Sequence, residues 1–189
     1  MAMYISNGKI ALRDFREDDI ALKVEWINDP GNNRYLHYSL PLEYGKTLNW
    51  FHGRNMEKRL DCTIEYGGVP VGMIGLLEID PVNKKAEYYI TIGAHDYKNR
   101  GIATGASRLI LAYAFDVLLL NKVYLNVDAE NRGACALYEK LGMICEGVFV
   151  QDLWHRGAFV DRKRYAITRD RYQKRLSERD TQGKLICNV

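Results

Sequence analysis

Hydrophobic and polar positions alternate in residues 9–15, "KIALRDF", as they do along a short half-buried strand. The pattern then changes. In "EDDIALKVEWI", Ile20, Val24 and Ile27 recur at helical spacing behind a first turn of acidic residues, which favours a helix start. "NDPGNN" stops that helix, and residues 28–45 read as a loop rich in aromatic and polar side chains. "KTLNWFHGRNMEKRL" predicts a second helix, with Gly53 inside it. "DCTIEY", the turn "GG" and "VPVGMIGLLEI" predict a hairpin, and after the turn "DPVN" the segment "KKAEYYITIG" predicts another strand. A helix follows, from near Thr104 to about Leu118, then a strand, "KVYLNV". "RGACALYEKLG" predicts a helix that closes at Gly142, a residue suited to the left-handed turn after a helix end. "CEGVFVQDLW", the turn "HRG" and "AFVDRKRYAI" predict a final hairpin. Residues 168–189 form a polar tail with helical character.

The order is one strand, two helices, three strands, helix, strand, helix and two strands. Strands joined by tight turns pair antiparallel, whereas two strands bridged by a helix can pair parallel. The expected fold class is α/β (α+β): one domain over residues 1–167, with a mixed, mostly antiparallel sheet flanked by helices. There is no internal repeat and no low-complexity linker.

Composition narrows the function. A net charge of +3 is too small to argue for nucleic acid, and the basic clusters "DRKRY" and "TRDRYQKR" read as a solvated face and tail. No apolar run approaches the roughly 18 residues of a membrane span. The N-terminus "MAMYISNGKIALRD" lacks the apolar region of a signal peptide. Cys62, Cys135, Cys145 and Cys187 are scattered, in neither a disulfide framework nor a zinc spacing. The expectation is a cytoplasmic protein with no metal.

The chemistry is concentrated in residues 97–115, "YKNRGIATGASRLILAYAF". A helix N-terminus presents unpaired N–H groups and partial positive charge, Gly101 and Gly105 keep side chains out of the way, and Lys98 and Arg100 add charge. These are the parts of a phosphate cradle. An ordinary strand-to-helix turn capped by Thr104 uses the same residues. The dinucleotide and P-loop fingerprints are both absent. Further on, Asn131 precedes a helix, and Tyr138 sits two turns along it on nearly the same face. By themselves these are also an N-cap and a packed aromatic.

Together the two segments resemble the GNAT superfamily of acyl-CoA-dependent N-acetyltransferases, over residues 69–167. The sequence "KNRGIA" is similar to the family's Q/R-x-x-G-x-G/A motif, with Lys98 at the first position. "NRGACALYEKLGM" is similar to N-x-x-A-x-x-L-Y-E-K-x-G-F, with Met143 in place of Phe. The closing "GVFVQDLWHRGAFVDRKRYAI" resembles the RimJ/RimL-like branch. The resemblance implies acetyl-CoA as cosubstrate and direct attack of an amine on its thioester. It implies that Lys98, Asn99, Arg100, Gly101, Ile102, Ala103 and Thr104 hold the pyrophosphate. Asn131 and the backbone of Ile92 and Gly93 would hold the pantetheine arm, and Tyr138 would act as the acid near sulfur.

The base is Glu87 or Glu78, with Glu87 ranked first for its place on the strand expected to carry the thioester contacts. Alternation puts Glu87 on one face with Tyr89 and Thr91. The acceptor side draws on residues 28–45 and their flanks, namely Trp26, Asn28, Arg34, Tyr35, His37, Tyr38, Glu43, Tyr44 and Trp50. These suit an aminosugar or a peptide N-terminal amine. Arg34 is placed for a phosphate or carboxylate on the acceptor, as on a nucleotide-linked aminosugar. A polyamine ranks lower, because Arg34 and Lys46 accompany the acids Asp29 and Glu43. A non-catalytic acyl-CoA-binding regulatory module is the alternative from another class. Nothing calls for nucleic acid or membrane as a partner, and a homodimer is compatible.

Overall fold

The alternating segments become strands and the 3.6-periodic segments become helices in the computed structural model, which describes residues 3–186, with side chains to residue 178. In chain order the elements are β1 (Tyr4–Ser6), β2 (Ile10–Asp14), α1 (Ile20–Asn28), α2 (Tyr44–Gly53), β3 (Leu60–Tyr66), β4 (Val69–Asp80) and β5 (Lys85–Ile92). There follow α3 (Ile102–Ala112), β6 (Lys122–Asp128), α4 (Arg132–Leu141), β7 (Ile144–His155), β8 (Ala158–Thr168) and α5 (Arg169–Ile186). The expected order is present, with β1 added in front. That strand is short and mostly exposed, so it carries no apolar alternation to betray it. Helix α2 begins at Tyr44 and ends at Gly53, where residues 46–60 were expected to be helical. Gly costs about 1 kcal/mol inside a helix, and the chain turns extended at Arg54.

The eight strands run in the order β1-β2-β3-β4-β5-β6-β8-β7. Every neighbouring pair is antiparallel except β5 and β6, which α3 connects. Side chains alternate between the two faces. One face carries Leu12, Ile64, Ile74, Tyr88, Val123 and Leu125 onto Ile102, Ile110, Phe115 and Tyr138 of the helical layer. The other carries Met73 and Tyr89 onto Phe15, Ile20, Trp26, Ile27 and Trp50. Helix α5 docks on the domain. Arg171 Nε donates to the Gly142 carbonyl at 2.7 Å, Arg169 donates to the Leu120 and Phe115 carbonyls, and the Tyr172 ring lies against Phe115. No helix among the described residues is long and apolar enough to cross a membrane. Cys62 and Cys135 are buried and free, Cys145 is exposed and free, and Cys187 lies outside the described residues.

A buried charge fixes α1 to the sheet. The Asp19 carboxylate accepts from Arg13 Nη1 (2.7 Å) and Nη2 (2.9 Å), from Thr63 Oγ1 (2.7 Å) and from the Arg16 amide (2.9 Å). Burial alone would raise its pKa. The Arg13 guanidinium and the other donors outweigh it and hold the carboxyl below its ordinary value. A depressed carboxylate contributes stability above its unfolded pKa, and that stability is lost as pH falls through the folded value. Asp19→Asn therefore lowers stability at neutral pH by about 3 kcal/mol and flattens the loss on acidification. Urea unfolding between neutral and acid pH checks this, and identical acid slopes for the two proteins would count against it.

Candidate active site

Strands β5 and β6 begin as a pair and then part. They register at Lys85↔Lys122, Ala86↔Val123 and Glu87↔Tyr124, and pairing stops there, although β5 continues to Ile92 and β6 to Asp128. On its other side β5 stays paired with β4 as far as Gly72↔Ile92. Between the separated strands opens a cleft of about 670 Å³, lined by the ends of β5 and β6, the turn into α3, and the first two turns of α4.

At one end lies the turn into α3. Asn99 (φ 60°) and Gly101 (φ 75°) adopt the left-handed conformation that Gly and Asn tolerate best. Gly101 is the N-cap of α3 without a side-chain cap, and the first bond into the helix runs from the Gly105 amide to the Gly101 carbonyl. Thr104 is a first-turn residue, not the cap. The backbone N–H groups of Asn99, Arg100, Gly101, Ile102, Ala103 and Thr104 donate to no other group of the described chain. Six consecutive free donors at a helix N-terminus form an anion site in waiting.

The basic side chains act differently from expectation. Lys98 Nζ is held by Asn32 Oδ1 and the Gly31 carbonyl, and Arg100 lies exposed over the Tyr97 ring, 5.4 Å from its centroid. Gly105 faces away from the cleft. A Cβ there would collide with Ile10 Cδ1, so this glycine serves the packing of α3 on β2.

Ile92 lines the cleft, whereas the Gly93 backbone is engaged elsewhere. Its N–H donates to Val71 O (2.9 Å), its carbonyl accepts from Asn32 Nδ2 (2.9 Å), and a Cβ on it would collide with Trp26. Gly93 thus shapes the end of β5 without presenting a group to the cleft.

Asn131 caps α4, accepting from the Ala134 amide at 3.2 Å, and also lines the cleft. Gly142 closes the same helix at φ 89°, as its sequence predicts. Tyr138 projects from α4 into the vertex where the strands part, 6.1 Å edge-to-face from Tyr88 and 5.8 Å from Tyr165 between ring centroids. Its hydroxyl makes no hydrogen bond among the described residues, and it lines the cleft. Burial pushes the phenol well above its ordinary pKa, so it stays protonated.

The two glutamates separate. Glu87 faces the acceptor side, and its Oε1 accepts from Asn126 Nδ2 at 3.2 Å; Asn126 belongs to the cleft wall. Glu78 sits in the irregularity between Leu77 and Asp80, at φ 48°, and lines a different recess with Lys58, Lys85 and Tyr124. It is not brought together with Tyr138.

Of the acceptor-side residues, Tyr35 and His37 line the cleft. Trp26 is buried under Gly93, Asn28 braces the backbone of Leu42, and Trp50 packs beneath Lys23 and against Phe15. Asp128 is a residue that the sequence did not single out. It is buried, and His37 Nε2 lies 3.0 Å from its Oδ2. The sole sequence signal is its position three residues before the cap in "NVDAEN"; the partner is 91 positions away. Asp128 is the one carboxylate among the lining residues, facing the cations Lys98 and Arg162. Among the described residues no group of His, Cys, Asp or Glu is placed to hold a metal ion.

The model of the acetyltransferase (GNAT) domain family matches residues 9–144. The chain is 30% identical over 183 residues to spermidine N(1)-acetyltransferase of Escherichia coli (strain K12), covering 96% of each chain. It is 32% identical over 116 residues to the putative ribosomal N-acetyltransferase YdaF of Bacillus subtilis (strain 168), which is 60% of this chain and 62% of that protein. The crystal structure of spermidine N-acetyltransferase from Vibrio cholerae in complex with CoA and spermine superposes with a TM-score of 0.82 at 26% identity, over 88% of this chain and 99% of that one. With this match over most of its length, and with its cradle, cap and buried tyrosine around one cleft, the chain belongs to the GNAT acetyltransferase family and is an acyl-CoA-dependent N-acetyltransferase.

Proposed function

We propose that the protein transfers the acetyl group of acetyl-CoA to a single primary amine on an acceptor that also carries an anionic group, of which a nucleotide-linked aminosugar is the best fit. In this reading the six free amides at residues 99–104 receive the pyrophosphate. Asn131 and the unpaired edge of β5 near Ile92 receive the pantetheine arm. The attacking amine needs a lone pair, the carbonyl oxygen gains charge, and the leaving sulfur needs a proton. Tyr138, buried and protonated, supplies that proton. Glu87, already bonded to Asn126, orients the cleft wall on the acceptor side, and Glu78 takes no part.

The observation that carries the acceptor class is charge. Several ammonium groups require several free carboxylates. The cleft lining holds one carboxylate, Asp128, whose Oδ2 bonds His37 Nε2 and whose buried Oδ1 has no partner among the described residues. Asp29 is engaged by His95 and Glu43 by Lys46. Next to the cleft, a recess of about 460 Å³ shares Tyr35 and Asp128 with it and adds Arg34, Arg156 and Phe159 together with the acids Glu130 and Asp161. The Arg34 guanidinium has no ion pair among the described residues and lies over the Tyr35 ring, 5.1 Å from its centroid. An aromatic face beside a free guanidinium suits a base and a phosphate. The second reading, a polyamine acceptor, is favoured by the identity to the spermidine acetyltransferases of Escherichia coli and Vibrio cholerae.

Turnover with acetyl-CoA across aminosugars, nucleotide-linked aminosugars, short peptides (the acceptors that the RimJ/RimL-like resemblance implies) and spermidine decides between them. The expected outcome is selective turnover of the anionic aminosugars. Strong, selective turnover of spermidine would establish the second reading instead.

Gly101→Glu places a carboxylate where phosphate is read. A Cβ at that position meets nothing within 4 Å, so the fold persists at a strain of about 1–2 kcal/mol. Acetyl-CoA affinity by calorimetry falls at least about 10-fold; undiminished binding by the folded variant would remove this turn from the site.

Tyr138→Phe acts on the leaving step. It lowers kcat and kcat/KM together by about 10²-fold and leaves acetyl-CoA affinity intact. A variant with normal kcat at saturating substrates would show that Tyr138 is only packed.

A further inference from the structure

Neither Glu87 nor Glu78 lines the cleft, and the cleft contains another group able to take the proton that an attacking amine must lose. His37 lies in the loop between α1 and α2, half-exposed to the cleft, with Nε2 3.0 Å from Asp128 Oδ2. A buried carboxylate at that distance accepts from an N–H, so Nε2 carries a proton, and in the neutral ring the lone pair is on Nδ1. Nδ1 makes no hydrogen bond among the described residues.

The ring is also fixed in place. His155, at the end of β7, lies against it with ring centroids 4.6 Å apart and planes tilted by 58°, and its own Nε2 donates to the Arg34 carbonyl at 3.2 Å. The neighbouring Arg156 donates to the Asn33 side chain (2.6 Å) and carbonyl (3.2 Å), which clamps the loop that bears His37. The charged and titratable groups facing His37 are Asp128 from β6, His155 from β7 and Arg162, which stands opposite Asp128 on β8.

We infer that His37, held in its Nε2–H tautomer by Asp128, is the general base that takes the proton from the acceptor amine through Nδ1. The inference rests on the reading of the cleft as the site of acetyl transfer to an amine. The steps balance. The ammonium gives one proton to Nδ1 and frees its lone pair. Nitrogen bonds to the thioester carbonyl carbon and the carbon–sulfur bond breaks. Tyr138 protonates the departing sulfur, and the second nitrogen proton returns through water to the tyrosine. His37 releases its proton to solvent, leaving amide, free thiol and one proton.

The test compares two amines in the full chain. Glucosamine 1-phosphate carries an ammonium at neutral pH and needs a base, whereas methoxyamine is already neutral and does not. His37→Gln is expected to lose about 10²-fold or more in kcat/KM with glucosamine 1-phosphate and much less with methoxyamine, at unchanged acetyl-CoA affinity by calorimetry. Asp128→Asn, which no longer selects the tautomer, should show the same contrast. Equal losses with both amines, or full activity with both, would overturn the proposal, because a purely structural residue does not distinguish amine protonation states. Nitrogen-15 NMR of the wild-type His37 ring tests the tautomer without any acceptor: Nε2–H supports the proposal and Nδ1–H overturns it. If wild-type protein failed to bind acetyl-CoA, it would be the reading of the cleft that fell.

Discussion

The structure depends on two parallel strands that stop pairing after three residues. A backbone N–H or C=O without a partner is costly when buried, so a sheet opens only where something else meets those groups. Here the edge of β5 from Tyr88 to Ile92 faces a cleft wide enough to admit an extended chain that carries amides of its own. The vertex is filled by a stack of tyrosines. Tyr88 is anchored by a 2.6 Å hydrogen bond to Ser107, Tyr165 stands opposite Leu125 in the β6–β8 register, and Tyr138 lies between their rings. The rings keep the strands apart and bury the one hydroxyl that faces the opening. Separation of the strands and protonation of Tyr138 thus have the same physical cause.

The acyl-carrier side and the acceptor side belong to opposite faces of the sheet, yet a few polar side chains join them. Asn32 is the central one. Its Nδ2 donates to the carbonyls of Trp26 and Gly93, and its Oδ1 accepts from Lys98 in the turn into α3. Asp29 reaches His95 at the start of the same turn. At the other end of the loop, His155 and Arg156 hold Asn33 and Arg34 from the β7–β8 turn. The loop between α1 and α2 is therefore pinned both by the turn into α3 and by the C-terminal hairpin. A ligand that reorders residues 98–104 would be felt in the placement of His37.

How much of this could be read in the sequence follows the range of each interaction. Asn131 and Gly142 were legible because capping is decided within four residues. The β7–β8 hairpin was legible because Arg156 and Gly157, both at positive φ, occupy a tight turn. The free amides at residues 99–104 were legible in kind, but the partners of Lys98 and Arg100 were not, since those lie on other segments or on an adjacent ring. Gly105 was misassigned for the same reason: a glycine needed for phosphate approach and one needed for Ile10 look alike in one dimension. Helix α2 was overextended because its amphipathic pattern runs on past Gly53 while its hydrogen bonds do not. Glu87 ranks above Glu78 by its strand alone, and alternation adds nothing for Glu78, because an irregularity between Leu77 and Asp80 breaks the period that alternation assumes. The pairing of His37 with Asp128 is invisible in the sequence, as it joins a loop to a strand 91 positions away.

The same distinction governs what relatedness implies about the acceptor. The residues that define the family act locally and on the carrier, which every member shares. Recognition of a polycation depends instead on carboxylates that are unpaired, and composition alone cannot report that. Residues 28–45 contain two acids, Asp29 and Glu43, which by count could meet two ammonium groups. In three dimensions one is held by His95 and the other by Lys46 at the start of α2. To bind a polyamine there, the His95 and Lys46 side chains would have to be displaced from the two carboxylates. An acceptor with one amine and a phosphate requires no such exchange: Asp128 is the one carboxylate lining the cleft, and the guanidinium of Arg34, without an ion pair among the described residues, lines the recess beside it.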